Sequence, residues 1–252
     1  MRPFTDRYGN LLALGLIVAL QACEKPATSA TTPTDTDGLA GDLERDVAEV
    51  EEASDAGTPF EDAELFFELN TTDNDLGLQL FVDNEGWRRL RVLDPRRHDM
   101  LLITAAGRLG RLGITELRFE SEEPEPQEVL ELFPPGEYRF RGRTVEGAEL
   151  ASNVTLSHDL PPAPTFSPSG GEQVDRERAV VEWHAPGAEK VEIIIENDEL
   201  EHVLDVTLSN TGRRLRIPPQ FLTPGQEYKI EVLSIAENGN RTIAESTFEV
   251  AD

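Results

Sequence analysis

Eight arginines crowd one stretch of an otherwise acidic chain: Arg88, Arg89, Arg91, Arg96, Arg97, Arg108, Arg111 and Arg118, against only Asp94, Asp99 and Glu116. Trp87 stands at its start. A guanidinium offers its donors as a planar fork and grips carboxylate or phosphate bidentately. An exposed aromatic ring beside it gives a sugar a face to lie on. Trp87, Arg88, Arg89 and Arg91 therefore form one candidate binding set, for an anionic glycan or an acidic protein tail. The competing account is that these arginines pair with neighbouring acids, or with the acidic segment nearer the N-terminus.

Metal chemistry is the second candidate. Asn70-Thr71-Thr72-Asp73-Asn74-Asp75-Leu76-Gly77 and Asp83-Asn84-Glu85-Gly86 set Asp73, Asp75 and Asp83 in loops one strand apart. Calcium takes about six to eight oxygen ligands, and clustered Asp and Asn can supply them. The run is not an Asp-x-Asp-x-Asp-Gly loop, however, and turns use the same residues for their own reasons. Calcium is the only cofactor suggested. His98, His158, His184 and His202 are scattered without zinc-motif spacing. There is no Gly-x-Ser-x-Gly elbow and no glycine-rich phosphate loop followed by lysine. The expectation is a protein without catalytic activity.

Cys23 is the sole cysteine. It follows Arg2 and Arg7, then the apolar run 11–20, then Gln21-Ala22. That run is about half the ~20 residues a bilayer-spanning helix needs and has the length of a signal-peptide core. Leu20-Gln21-Ala22-Cys23 resembles the lipobox of bacterial lipoproteins. The resemblance implies cleavage after residue 22, a diacylglycerol thioether on Cys23, and a membrane-anchored protein on the extracytoplasmic side. Its membrane partner would be reached through the acylated Cys23. Acylation also accounts for a cysteine that has no partner within the chain. Glu24, where an aspartate is associated with inner-membrane retention, leans toward the outer membrane or cell surface.

Residues 23–62 pass from a Pro/Thr/Ser/Ala tract into an acidic stretch with Arg45 as its one base between Asp42 and Asp55. Few large apolar side chains are present to offset ordering entropy, so a disordered linker is expected. A flexible segment of about 38 residues spans on the order of 35 Å. The formal net charge of −26 and pI near 4.4 exclude a nucleic-acid partner, whose phosphates demand Lys and Arg.

The elements that must position these residues are strands. Leu76, Leu78, Leu80 and Val82 share one face; Tyr138 and Phe140 oppose Arg139, Arg141 and Arg143; Val191, Ile193 and Ile195 oppose Glu192 and Glu196. Period-two alternation with intervening turn residues reads as an all-β protein, with one face of each strand in a core. Leu160-Pro161-Pro162-Ala163-Pro164 is a stiff joint between two β-sandwich domains, 63–160 and 161–252.

The second domain resembles fibronectin type III through Val181-Glu182-Trp183 and Leu222-Thr223-Pro224-Gly225-Gln226-Glu227-Tyr228. The resemblance implies seven strands, near 164–168, 178–185, 190–197, 202–209, 213–218, 227–237 and 241–250. It also implies a core tryptophan and a tyrosine corner. Leu132-Phe133-Pro134-Pro135-Gly136-Glu137-Tyr138 echoes that corner, so an immunoglobulin-like or fibronectin-like sandwich is expected for the first domain too. A short helix or turn at 126–133 would feed the corner. Together these features favour an interaction or scaffold module of the cell envelope with an envelope-protein partner. A carbohydrate-binding accessory for peptidoglycan or surface polysaccharide is the alternative.

Overall fold

In the computed structural model, residues 56–252 are described; Cys23 and the acidic stretch up to residue 55 lie outside them. The described chain is all-β, with fourteen strands and two short helices. Among the described residues no helix is long and apolar enough to cross a membrane.

The first domain is organised around one long strand. β1 (Asp62–Asn70) turns through Asn70–Asp75 into β2 (Asp75–Leu93). Asn70 Oδ1 accepts the Thr72 and Asp73 N–H groups, and Asn74 closes the turn at φ 60°. The front half of β2 pairs with β1 and with β4 (Ile114–Glu120); its back half pairs with β3 (Asp99–Thr104) and β5 (Gly136–Thr144). β6 (Glu149–Leu156) lies on the far side of β5. α1 (Gly107–Leu112) links β3 to β4, and α2 (Pro126–Leu132) precedes β5.

The expected turn at Asp83-Asn84-Glu85-Gly86 is instead a bend inside β2, where the ladders shift register. Asn84 Oδ1 accepts the Glu61 N–H and its Nδ2 donates to Glu85 O, which satisfies backbone the bend would strand. Residues of the expected linker also take part in the fold. Thr58 bridges to Leu150, and Phe60 is buried in the core.

The second domain has two sheets. One is β12-β9-β7, from β7 (Thr165–Ser167), β9 (Val180–His184) and β12 (Arg214–Arg216). The other runs β11-β10-β13-β14, from β10 (Lys190–Asn197), β11 (His202–Ser209), β13 (Glu227–Ile235) and β14 (Arg241–Val250). All seven expected strands are present, and β8 (Glu172–Val174), paired in parallel to β14, is an addition. The tyrosine corner has the geometry the fibronectin resemblance implies. Tyr228 Oη donates to Phe221 O at 3.1 Å and accepts the Thr223 N–H at 3.0 Å. Its echo is real as well: Tyr138 Oη donates to Pro134 O at 3.0 Å.

Each domain keeps its own core. One gathers Phe67, Trp87, Tyr138 and Phe140, the other Trp183, Ile193, Tyr228 and Phe248. The sheets, however, are continuous. β1 pairs in parallel with β14 through Glu68↔Arg241, Leu69↔Thr242 and Asn70↔Ile243, fusing both domains into an 11-stranded sheet.

Candidate functional site

Four of the eight buried polar or charged residues among those described, Glu192, Asn240, Arg241 and Thr242, lie at the seam between the domains. Arg241, at the start of β14, reaches Glu192 Oε2 of β10 at 3.4 Å and Glu68 Oε2 of β1 at 3.8 Å. Its guanidinium lies 4.4 Å from the centre of the Phe66 ring. The side chain of Glu192 is 1% exposed and that of Arg241 8%, so each charge is held by its partners rather than by water.

Asn240 completes the lock. Its Oδ1 accepts the Phe67 N–H at 2.9 Å, and its Nδ2 donates to Ser157 O and Asp159 O. Thr242 Oγ1 donates to Pro161 O at 2.6 Å. The loop before the last strand, Glu237–Arg241, thus holds the first domain and the proline joint.

Beside this seam, carboxylates crowd together. Glu68 lies opposite Gly77 in the β1–β2 ladder, and Glu120 opposite Gln79 two residues on. A Cβ at Gly77 would stand 2.6 Å from Glu123 Oε1, so the missing side chain makes room for Glu123 to fold over the strand. Oxygens of Glu68, Glu120 and Glu123 come within 4.8 Å of one another. Burial pushes the Glu68 carboxyl up to about 7, against the pull of Arg241. Burial and the neighbouring Asp75 and Glu120 push Glu123 up to about 7. This arrangement holds protons near neutral pH, and its hard oxygens are of the kind a divalent cation takes.

The calcium set drawn from sequence is regrouped by this geometry. Asp75 lies beside the cluster; its carboxyl is raised by burial, then by Asp73 and Glu245, and its Oδ1 is buried without a hydrogen-bond partner. Asp73 accepts a hydrogen bond from Asn70 Nδ2 in the same turn. Asp83 does not join them. It pairs with Asp62 at the opposite end of the ladder from Asn70↔Asp75, roughly 27 Å away at ~3.4 Å per residue. Glu68, Glu120 and Glu123 were invisible as a set, because Glu68 lies 52 residues before Glu120 and meets the other two only through sheet register.

The arginine set is also redrawn. Trp87 is fully buried in the first core, so its ring cannot stack on a sugar; this corrects the expectation. Its Nε1 has no hydrogen-bond partner among the described residues. Burying a tryptophan ring of about 150–250 Å² contributes roughly 4–6 kcal/mol at ~25 cal/mol per Å², more than the about 1–3 kcal/mol an orphaned N–H costs.

Arg88 sits half-buried at the β2 irregularity, its carbonyl accepting the Ala105 N–H. Arg89 and Arg91 do meet, and sheet register adds three more. Arg89 faces Arg143, Arg91 faces Arg141, and Arg139 follows on the same face of β5. Most are tied to local acceptors. Arg91 grips Asp99 through Nε (2.5 Å) and Nη2 (3.1 Å), and Arg143 Nη2 meets Glu149 at 2.6 Å. Arg141 Nη1 donates to Phe140 O, Ser152 O and Asn153 Oδ1. Arg118 pairs with Glu116 and lies over Phe81. The signal that could have found this ladder was the alternation of Arg139, Arg141 and Arg143 on β5.

A groove of about 630 Å³ is lined by Thr72, Glu196, Asp198, Glu227, Lys229 and Glu245, among others. Lys229 Nζ bridges Glu231 at 2.6 Å and Glu245 at 2.9 Å.

No family model and no curated protein matches the chain. Solved structures do. The chain is similar to a tetra-tandem repeat from the extending region of a large adhesion protein, at 12% identity and a TM-score of 0.27, over 74% of this chain and 48% of that one. A structure from a 1.5-MDa bacterial ice-binding adhesin matches at 9% identity and a TM-score of 0.27, over 78% and 66% respectively. A segment of two fibronectin type III domains from chicken tenascin matches at 13% identity and a TM-score of 0.29, over 75% and 98%. The chain thus spans about half the length of the first of these structures.

Proposed function

We propose that this protein is a lipid-anchored, extracytoplasmic interaction module of a bacterial envelope. In this reading acylated Cys23 holds it to the membrane and the acidic segment to residue 62 spaces it away. The paired sandwiches offer their surfaces to an envelope protein, without chemistry of their own. The lipobox-like Leu20-Gln21-Ala22-Cys23 behind a short apolar run supports the anchor. The observation that carries the presentation role is the seam. Two sandwiches joined only by a proline linker would swivel. Here a shared sheet and the Glu68–Arg241–Glu192 contact fix one domain to the other, as a module offering a composite surface requires.

Two measurements test this reading. Metabolic labelling with an alkyne fatty acid should mark the chain, and Cys23→Ala should abolish the label. Crosslinking in intact cells should then recover a discrete protein that is lost in Cys23→Ala. Labelling that survives the substitution would sink the anchor, and recovery of no protein would sink the presentation role.

A polysaccharide ligand is the second reading, now favoured by the arginine ladder in place of Trp87. Retention on an immobilised acidic polysaccharide, weakened about tenfold by Arg139→Glu with Arg143→Glu, would favour it. Equal retention of both forms would remove it.

A further inference from the structure

Four of the six exposed large apolar side chains among the described residues belong to three successive elements of the first domain. Leu102 on β3, Leu109 and Leu112 on α1, and Phe119 on β4 are 47%, 52%, 79% and 40% exposed. These three elements follow one another in the chain, along the same side of β2. α1 buries none of its residues. β4 pairs with β2 alone among the described strands, so its other edge offers an open ladder. Such edges are commonly blunted by lysine, proline or a bulge. β4 carries neither residue, and its register with β2 runs unbroken from Glu116 to Glu120. An open edge flanked by exposed leucines and a phenylalanine is an association surface.

The sequence of β4 says what fits there. Ile114-Thr115-Glu116-Leu117-Arg118-Phe119-Glu120 is complementary to itself when run antiparallel. With Leu117 on the two-fold axis, Glu116 faces Arg118 of the second copy, and Arg118 faces Glu116 of the second copy. Thr115 faces Phe119, and leucine meets leucine. Shifting the axis to Glu116 or to Arg118 sets like charges face to face. Shifting it by half a residue sets charged side chains against the apolar row.

Among the axes through Glu116, Leu117 and Arg118, only the one at Leu117 sets opposite charges face to face, and it generates a closed, isologous pair. β11 and β6 also end this sheet, and neither carries a lysine or arginine to answer an acidic side chain of a second copy. We propose that two copies of this chain associate through β4, antiparallel and centred on Leu117, extending the sheet from one copy into the next. This goes beyond the presentation role and stands independently of it.

Sedimentation velocity on the full chain carrying Cys23→Ala reads the association directly. A monomer–dimer equilibrium is expected, and Glu116→Arg or Arg118→Glu alone should weaken it by about tenfold, because each sets two like-charge pairs across the axis. The double exchange Glu116→Arg with Arg118→Glu restores opposite charges and should return the equilibrium to within about threefold of the parent. Each single exchange also removes the Arg118–Glu116 ion pair within the chain, so a cooperative thermal transition is required of every variant to show that it folds. A chain that stays monomeric overturns the proposal. So does a dimer indifferent to the single exchanges, a double exchange as weak as the singles, or a dimer broken instead by Val203→Lys on β11.

Discussion

Arg241 is the side chain on which the seam turns, because one guanidinium answers two carboxylates that have little water to fall back on. Removing it leaves Glu192 and Glu68 buried without their cation, a situation that typically costs about 3–5 kcal/mol. Arg241→Ala should lower the denaturant midpoint by a corresponding amount at unchanged slope, as read by urea unfolding at neutral pH. Glu68 and Glu123 act through protons instead. Both carboxyls rise from an ordinary 4.5 to about 7, so between those values the folded chain holds protons that the unfolded chain has released. Stability is therefore greatest at the acidic end of that window and declines as pH rises through it. Glu68→Gln with Glu123→Gln should flatten the dependence between pH 5 and 7.5, and urea titrations across that range would show it. A slope unchanged in the double variant would mean that other groups carry it.

Much at the scale of the element was legible from sequence, and what escaped has a common cause. The strand at 190–197 and the helix at 126–132 follow from local period and turn chemistry, whereas the strands at 202–209 and 241–250 and the tyrosine corner rest on the fibronectin type III resemblance. β2 misled because Asp83-Asn84-Glu85-Gly86 has turn composition, yet its hydrogen bonds are met by partners that sequence cannot place beside it. Trp87 misled for a related reason. Its charged neighbours suggested a solvated face, whereas the bend in β2 turns the ring inward. The Arg241 contacts were beyond reach, since Glu68 and Arg241 meet only through tertiary pairing. Glycines in the ladders give a direct check on this packing. A Cβ at Gly142 would stand 2.6 Å from Phe60 Cζ and 2.9 Å from Arg89 O, a ring and a backbone atom that cannot both retreat. At Gly77 the nearest atom is the mobile end of Glu123. Gly142→Ala should cost about 1–3 kcal/mol, and Gly77→Ala markedly less, in the same thermal melts.

For the whole molecule, the shared sheet means that two cores answer as one. A single calorimetric transition is expected for the parent chain. Asn240→Ala with Arg241→Met removes the side-chain lock while leaving both cores intact, and should split that transition into two. Two transitions already present in the parent would show that the β1–β14 ladder does not couple the domains. The ladder that joins the two cores into one sheet was not legible in the sequence, because three ladder pairs carry no periodic signature in either strand.

That ladder also sets an order of events during synthesis. The Phe67 amide finds its acceptor on Asn240, 173 residues later in the chain. At about 5–20 residues per second, roughly 10–35 s pass between the emergence of the two. Through that interval the first domain has its hydrophobic core available but an unsatisfied β1 edge, with Phe66 uncovered by Arg241. Until the last strand has emerged, the first domain is therefore most exposed to strand-swapping with neighbouring copies, and that strand closes the window.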